Sequence, residues 1–162
     1  MKSVTVRAAK ATDVQVIVNM LHRLADDLGD SDIFSSNREI ILRYGFGKNA
    51  MFDVVIAETA GGAVGFALYF AHFSTTKGMP GVYVQDLWVD PATRGGKIGQ
   101  KLLTAVASSA VNTWGAAYMK LSVHTANIGA ERFYARLGFF ANAKETPMTA
   151  EGNAFKILRS AV

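Results

Sequence analysis

Residues 82–103 constrain the fold most strongly, because a strand, a glycine-rich turn and a helix follow one another there without a gap. The β-branched and aromatic residues of 82–89 predict a strand, and Asp90-Pro91 ends it since proline cannot extend a hydrogen-bonded ladder. From Ile98 onward, apolar residues recur at helical spacing and predict an amphipathic helix with one buried face. The chain must therefore accommodate a strand that feeds directly into a helix.

The turn between this strand and this helix predicts an anion site. Backbone N–H groups at a helix start lack partners within the helix, and they lie at the positive end of its dipole. A diphosphate is the usual occupant of such a site. Gly96-Lys97 lacks the upstream glycine of a P-loop, and no Gly-x-Gly-x-x-Gly run is present, so both common nucleotide motifs are excluded.

Composition narrows the class of protein. A chain of 162 residues, half of them apolar, suits one domain spanning 1–162. The net charge is +4 and no run of lysines or arginines occurs, so we expect no nucleic-acid partner. Without cysteine neither a disulfide nor a thiolate metal site can form, and we expect no metal. The sequence shows no signal segment and no membrane span, which predicts a cytoplasmic protein with no membrane partner.

The order of predicted elements gives the fold class. Helices are predicted at 14–28, 37–44, 98–110 and 127–137, and strands at 3–8, 52–59, 65–71, 82–89, 118–123, 139–140 and 154–158. This order predicts a mixed α/β (α+β) fold with a central, mostly antiparallel sheet of about six to seven strands, flanked by about four helices.

Several motifs together resemble one family. The turn resembles the coenzyme A pyrophosphate loop of the GNAT-superfamily N-acetyltransferases, Arg/Gln-x-x-Gly-x-Gly/Ala. Arg94 and Gly99 occupy its first and last places, and Lys97 stands where the pattern has its first glycine. Further runs resemble the diamine (spermidine/spermine) and thialysine N-acetyltransferase branch: 42–47, 73–75, 77–78, 85–89, Asn127, 133–134 and 138–139. The resemblance implies the GNAT fold, acetyl-coenzyme A as co-substrate, and a homodimer.

The resemblance also implies where the coenzyme binds. The pantetheine arm and the oxyanion donor would lie along Leu87, Trp88 and Val89. The pyrophosphate would lie on Arg94, Gly95, Gly96, Lys97, Ile98 and Gly99. Asn127 would contact the coenzyme, although a helix-capping role alone explains it equally well. Tyr134 would be the acid that protonates the leaving thiolate, since the family places a tyrosine at this point of its fourth helix.

The general base stays open in the sequence. Polyamine acetyltransferases carry a glutamate where this chain has Gln85, and an amide cannot accept the proton although it can orient water. Asp86 points to the opposite face in a regular strand, so it is either structural or reaches the amine through a local bulge. His124, at a strand end, has a suitable pKa range but is as readily explained by a structural role.

Acidic residues at the end of the first predicted helix suggest the acceptor. Asp26, Asp27 and Asp30 crowd a helix end where the dipole disfavours negative charge. They form either a solvated acidic loop or a site for a cationic small molecule. The prediction is acetyl transfer to a primary amine of a polyamine, diamine or lysine-like acceptor by direct attack. The alternatives are another amine, such as an amino-acid derivative, an aminoglycoside or a protein amine, or a non-catalytic acyl-coenzyme A sensor.

Overall fold

Five strands form one sheet in the part of the chain that the computed structural model describes, residues 3–142 and 144–160. They are β1 Thr5–Ala8, β2 Asp53–Thr59, β3 Gly62–Ser74, β4 Met79–Val89 and β5 Met119–Leu121. Their spatial order follows the chain, with β1 to β4 antiparallel and β5 parallel to β4. The predicted fold class is confirmed, whereas the predicted six to seven strands exceed the number found.

Five α-helices accompany the sheet in the same residues: α1 Val14–Leu28, α2 Arg38–Phe46, α3 Ile98–Trp114, α4 Ile128–Arg136 and α5 Gly152–Ser160. Local chemistry sets their ends. The Asn37 side chain accepts a hydrogen bond from the Ile40 N–H at the start of α2. Gly29 ends α1 with a φ of 77°, a left-handed conformation that glycine adopts without steric cost. None of the described helices is long and apolar enough to cross a membrane.

The C-terminal strand prediction is wrong. Residues 154–158 lie inside α5, and 139–140 lie outside any strand. Phe155 and Leu158 stand three residues apart, which puts both on one side of a helix. Gly138, with a φ of 90°, directly precedes 139–140, and two residues are too short a run to make a strand by themselves.

The chain divides into two compact units, Met1–Ser122 and Val123–Val162. In the first unit, α1 packs on one face of the sheet, where Ile17 and Leu21 meet Phe66 and Leu68. Successive strand residues point to opposite faces, so Tyr69 lies on the other face, where its hydroxyl donates to Ser109 of α3 at 3.0 Å. The sheet is thus covered on both sides. The second unit contains α4 and α5.

A β-bulge interrupts β4 at Gln85. Leu68 of β3 pairs with Asp86 and Tyr69 pairs with Val84, so Gln85 is one extra residue on β4. Because side chains alternate along a strand, Asp86 would share the α3 face with Val84 if the strand were regular. The bulge places Asp86 beside Leu68 on the α1 face instead. One inserted residue therefore decides which side of the sheet receives this carboxylate.

Candidate active site

A cavity of about 690 Å³ opens in the first unit between α1, α2 and the sheet. Apolar side chains from the end of α1, the following segment, α2 and β3 form most of its wall: Leu21, Leu24, Ala25, Leu28, Ile33, Phe34, Ile40, Ile41, Tyr44, Met51, Phe52, Leu68 and Phe70. Its polar lining consists of Asp30, Ser35, Ser36, Gln85 and Asp86. Such a concave, mostly apolar site with a few polar groups is typical of small-molecule binding.

Among the ionisable groups that line this cavity, Asp86 has the most clearly shifted pKa. Burial raises the pKa of its carboxyl from the ordinary 3.8 to about 6, because the charged form loses water without gaining an opposite charge. The carboxylate is still ionised at neutral pH, yet it holds a proton more strongly than an exposed aspartate. Those are the properties of a general base.

Gln85 also lines the cavity and is exposed. The bulge thus brings Gln85 and Asp86 to one site, although neighbours in a regular strand would face opposite sides. The local bulge that one of the two alternatives for Asp86 required is therefore present. The amide of Gln85 can donate and accept hydrogen bonds, so it is suited to holding a water molecule.

The turn between β4 and α3 has the backbone conformation of an anion-binding loop. Gly95 has a φ of 87° and Lys97 a φ of 58°, the one positive φ among the described residues other than glycine. Placing Lys97 there costs about 1 kcal/mol relative to glycine. The first N–H groups of α3 follow directly and lack helical partners. The turn, with Arg94 and Lys97, is therefore suited to a diphosphate.

Arg94 is held in place by the end of α1. Its Nη2 donates to Asp27 Oδ2 at 2.9 Å, and its Nε donates to the Val89 carbonyl at 3.0 Å. Asp27 Oδ2 also accepts from the Trp88 indole N–H at 3.1 Å. Asp26 accepts a hydrogen bond from the Ser31 hydroxyl. Of the three aspartates predicted to hold the acceptor, Asp30 lines the cavity, while Asp26 and Asp27 are absent from its described lining.

The ladder between β4 and β5 is short. β5 pairs with Val82, Tyr83 and Val84, and the pairing ends there. β4 continues to Val89. The backbone edge of Leu87, Trp88 and Val89 on the β5 side therefore lies beyond the last residue that pairs with β5. Backbone groups along such an edge can bind an extended ligand as an added strand. This is the edge predicted to hold the pantetheine arm.

The second unit carries the other predicted residues. The Asn127 side chain accepts from the Ala130 N–H at 3.0 Å and caps α4, and its own N–H donates to the His124 carbonyl. Tyr134 of α4 packs edge-on against Phe133 and Phe139. Burial raises the pKa of the Tyr134 phenol to about 12. The phenol therefore stays protonated and remains a hydrogen-bond donor.

Sequence reasoning missed most of the cavity wall. Phe34, Ile40, Met51 and Phe70 come from four separate segments, and only the fold brings them together. Ile40 and Met51 are large apolar residues that the fold leaves exposed, and only the structure shows this. Among the described residues no cluster of histidine, aspartate or glutamate is arranged to hold a metal ion.

The mixed sheet, the cavity and the turn suited to a diphosphate fit an acyltransferase of the GNAT class. The chain matches the acetyltransferase (GNAT) family over residues 19–139 and belongs to that family. Members use acetyl-coenzyme A as co-substrate and acetylate amines. The predicted enzyme class is thus confirmed.

The chain is also similar to individual members of the family and to solved structures. The chain is 34% identical over 146 residues to a thialysine N-epsilon-acetyltransferase of Sus scrofa, covering 85% of each chain. It is 30% identical over 115 residues to the spermidine/spermine N(1)-acetyltransferase-like protein 1 of Homo sapiens, covering 67% of this chain and 16% of that one. An integron cassette protein from the mobile metagenome of V. cholerae shares the fold with a TM-score of 0.78 and 21% identity, over 98% of this chain and 99% of that chain. The predicted resemblance to the diamine and thialysine branch is confirmed.

Proposed function

We propose that this protein moves the acetyl group of acetyl-coenzyme A to the primary amine of a small cationic acceptor: a polyamine, a diamine or a lysine-like molecule. The observation that carries the proposal is Asp86, a carboxylate with a raised pKa in the wall of a ligand-sized cavity. The amine attacks the thioester directly. A carbon–nitrogen bond forms and the carbon–sulfur bond breaks. The ammonium gives up one proton before attack, and the nitrogen gives up a second proton, which the leaving thiolate takes to become the thiol.

Asp86 is the base in this proposal. A free alkylamine has a pKa near 10, so it enters the cavity as an ammonium ion and must lose a proton before it can attack. Asp86 accepts that proton, directly or through a water held by Gln85. The other titratable groups lining the cavity are Asp30 and Tyr44. His124, the third candidate from the sequence, is not needed for this step.

The coenzyme is placed by the anion-binding turn and the β4 edge. Backbone N–H groups of 95–99 and the side chains of Arg94 and Lys97 bind the pyrophosphate, which carries negative charge. Leu87, Trp88 and Val89 present backbone groups to the pantetheine arm, and one N–H there stabilises the oxyanion. Asn127 adds a contact to the coenzyme. Within this arrangement, acetyl-coenzyme A supplies the activated acetyl group.

Tyr134 serves the leaving group. With its pKa raised to about 12, the phenol is fully protonated and donates a hydrogen bond to the departing thiolate. We propose further that residues 1–162 form one acetyltransferase domain and that the protein works as a homodimer. The exposed apolar side chains of the second unit, such as Phe140 and Phe155, support association.

The test is thiol release from acetyl-coenzyme A with spermidine, putrescine, lysine and thialysine, each against a blank without acceptor. Mass spectrometry then looks for the N-acetylated product. The proposal expects release above the blank together with an acetylated amine. Tight binding of acetyl-coenzyme A with no release for any amine would overturn it and favour the sensor alternative.

A further inference from the structure

The charges around the cavity are fewer than the aspartate cluster in the sequence suggests. Asp27 is committed to Arg94 and Trp88, and Asp26 is bonded to Ser31. Neither is part of the described cavity lining. Two carboxylates remain there, Asp30 in the loop after α1 and Asp86 on β4, and Asp30 already takes part in an interaction within the chain.

Large apolar side chains at this cavity are exposed instead of buried. Ile33 is 77% exposed and Met51 68%, with Ile40 and Tyr44 more than a third exposed. All four line the cavity, and we call them the apolar rim. Apolar side chains left in contact with water stabilise a complex with any ligand that covers them. The apolar rim therefore favours a ligand body that is apolar.

No arginine, lysine or histidine occurs among the described lining residues. The carboxylate of a free amino acid would thus lose water in the cavity without meeting a positive partner. Burying that charge without a partner is costly and weakens binding. A second ammonium group at the apolar rim would keep its water, and it would leave the exposed apolar side chains uncovered.

We propose that the preferred acceptor is a primary amine carried on an uncharged apolar body, such as an alkylamine or arylalkylamine. This inference rests on the proposed acetyl transfer to a primary amine, and it replaces the polyamine, diamine or lysine-like acceptor of that proposal with an apolar monoamine. The amine lies at Asp86, and the body extends along Phe70 and the apolar rim. A polyamine or an amino acid is then a poorer acceptor than a monoamine of the same length.

A matched pair of acceptors tests the inference: hexylamine and hexane-1,6-diamine. Both offer the same reacting amine on the same chain, and they differ in the far end alone. Thiol release should give hexylamine a kcat/KM at least tenfold above the diamine, although the diamine has two reactive ends. Along butylamine, pentylamine and hexylamine, kcat/KM should rise about three- to fourfold per methylene.

A charge placed in the apolar rim gives the reciprocal test. Ile33→Asp should raise kcat/KM for the diamine and lower it for hexylamine, because the new carboxylate pairs with the distal ammonium. Ile33 is mostly exposed, so the change spares the core. The control is Val111→Asp on α3, an exposed apolar residue outside the described lining, which should leave the ratio of the two acceptors unchanged.

The outcomes distinguish a failure of the apolar-acceptor inference from a failure of the proposed acetyltransferase function. A diamine that is equal to or better than hexylamine overturns the apolar acceptor and leaves the acetyltransferase proposal standing. The same holds if Ile33→Asp changes the oligomeric state but not the ratio, since the apolar rim would then contact a second copy of the chain. If no amine gives thiol release, both the inference and the proposed function are overturned.

Discussion

Asp27 holds the Arg94 guanidinium at 2.9 Å and accepts a hydrogen bond from the Trp88 indole with the same oxygen. Arg94 also donates to the Val89 carbonyl, so two contacts fix its direction. A long side chain fixed in this way loses less conformational entropy when it binds an anion. We propose that Asp27 acts on the coenzyme through Arg94, whereas its place in the sequence suggested a contact with the acceptor.

Asp27→Asn should raise the KM for acetyl-coenzyme A with kcat nearly unchanged. The amide still accepts from Trp88 but no longer pairs with Arg94. Because the pair is partly exposed and worth at most about 1 kcal/mol, the expected rise is about two- to fivefold. Steady-state kinetics with acetyl-coenzyme A varied give both parameters. Asp26→Asn is the control, and a lower KM for Asp27→Asn would mean that Asp27 competes with the coenzyme for Arg94.

At the scale of elements, Arg7 joins three segments. Its guanidinium contacts Asp13 at 2.7 and 2.9 Å and Glu58 at 2.6 and 3.0 Å, which ties β1 to β2 and to the short turn before α1. The hydrogen bonds that Arg7 donates to Asp13 lower the pKa of Asp13 from 3.8 to about 2. Because the folded pKa lies below the unfolded one, the stabilisation is complete above pH 4 and disappears as pH falls through 2.

Arg7→Gln should therefore destabilise the fold at neutral pH. We expect a loss of about 1 kcal/mol, since the guanidinium is partly exposed and solvent screens the pairs. Urea unfolding at neutral pH and near pH 2 measures the difference, which should shrink in acid. Arg23→Gln, which removes a more exposed pair with Asp90, should cost less. An Arg7 effect independent of pH would rule out the charge pairs as its cause.

Periodic elements were predictable from the sequence because burial on one face leaves a repeat. The 3.6-residue spacing from Val14 to Leu28 and the stop at Gly29 define α1 as the structure has it. The strand before Gly61-Gly62 followed from its β-branched residues, and the strand after it followed from the tight turn. The anion-binding turn was also predictable, since its glycines and the helix that follows lie together in the chain.

The bulge and the cavity were not predictable, because neither leaves a local pattern. One extra residue at Gln85 is invisible until β4 is paired with β3, and that pairing alone decides the face of Asp86. The contact of Asp27 with Arg94 was not predictable either, because the two residues are distant in sequence. For α5, the short apolar run suited a strand as well as a helix, and the i, i+3 pair of Phe155 and Leu158 was the better signal.

At the scale of the whole molecule, exposed apolar residues bear on assembly. In the second unit Phe140 is 87% exposed, and Phe155, Ile157 and Leu158 of α5 are also exposed. Large apolar side chains left exposed are candidates for an interaction surface. The proposed homodimer gives these side chains a partner surface.

Light scattering should find a mass near twice the 17.4 kDa of the chain. Phe155→Asp combined with Leu158→Asp should shift it toward the monomer, because two charges would lose water at the interface. Lys156→Asp on the same helix changes charge without removing apolar surface and should leave the dimer intact. A monomeric wild-type protein would contradict the proposed dimer.

The central claim is that Asp86 takes the proton of the bound ammonium, and its pH profile tests this most directly. In the wild type, kcat/KM for the amine should rise with pH up to about 6, where Asp86 ionises, and then stay level to about pH 9. Asp86→Asn should react only with amine already neutral in solution, so its kcat/KM should climb about tenfold per pH unit over that range.

Thermal unfolding shows whether Asp86→Asn keeps the fold. Burial raises the folded pKa of Asp86 above its unfolded value, so ionisation costs stability as pH rises from about 4 to 6. The asparagine variant should therefore have an equal or higher Tm at about pH 8 while turning over more slowly. We predict that kcat/KM of the wild type is level above pH 6, and that kcat/KM of a stably folded Asp86→Asn variant rises with pH over the same range. Identical profiles and rates in the two proteins would contradict it.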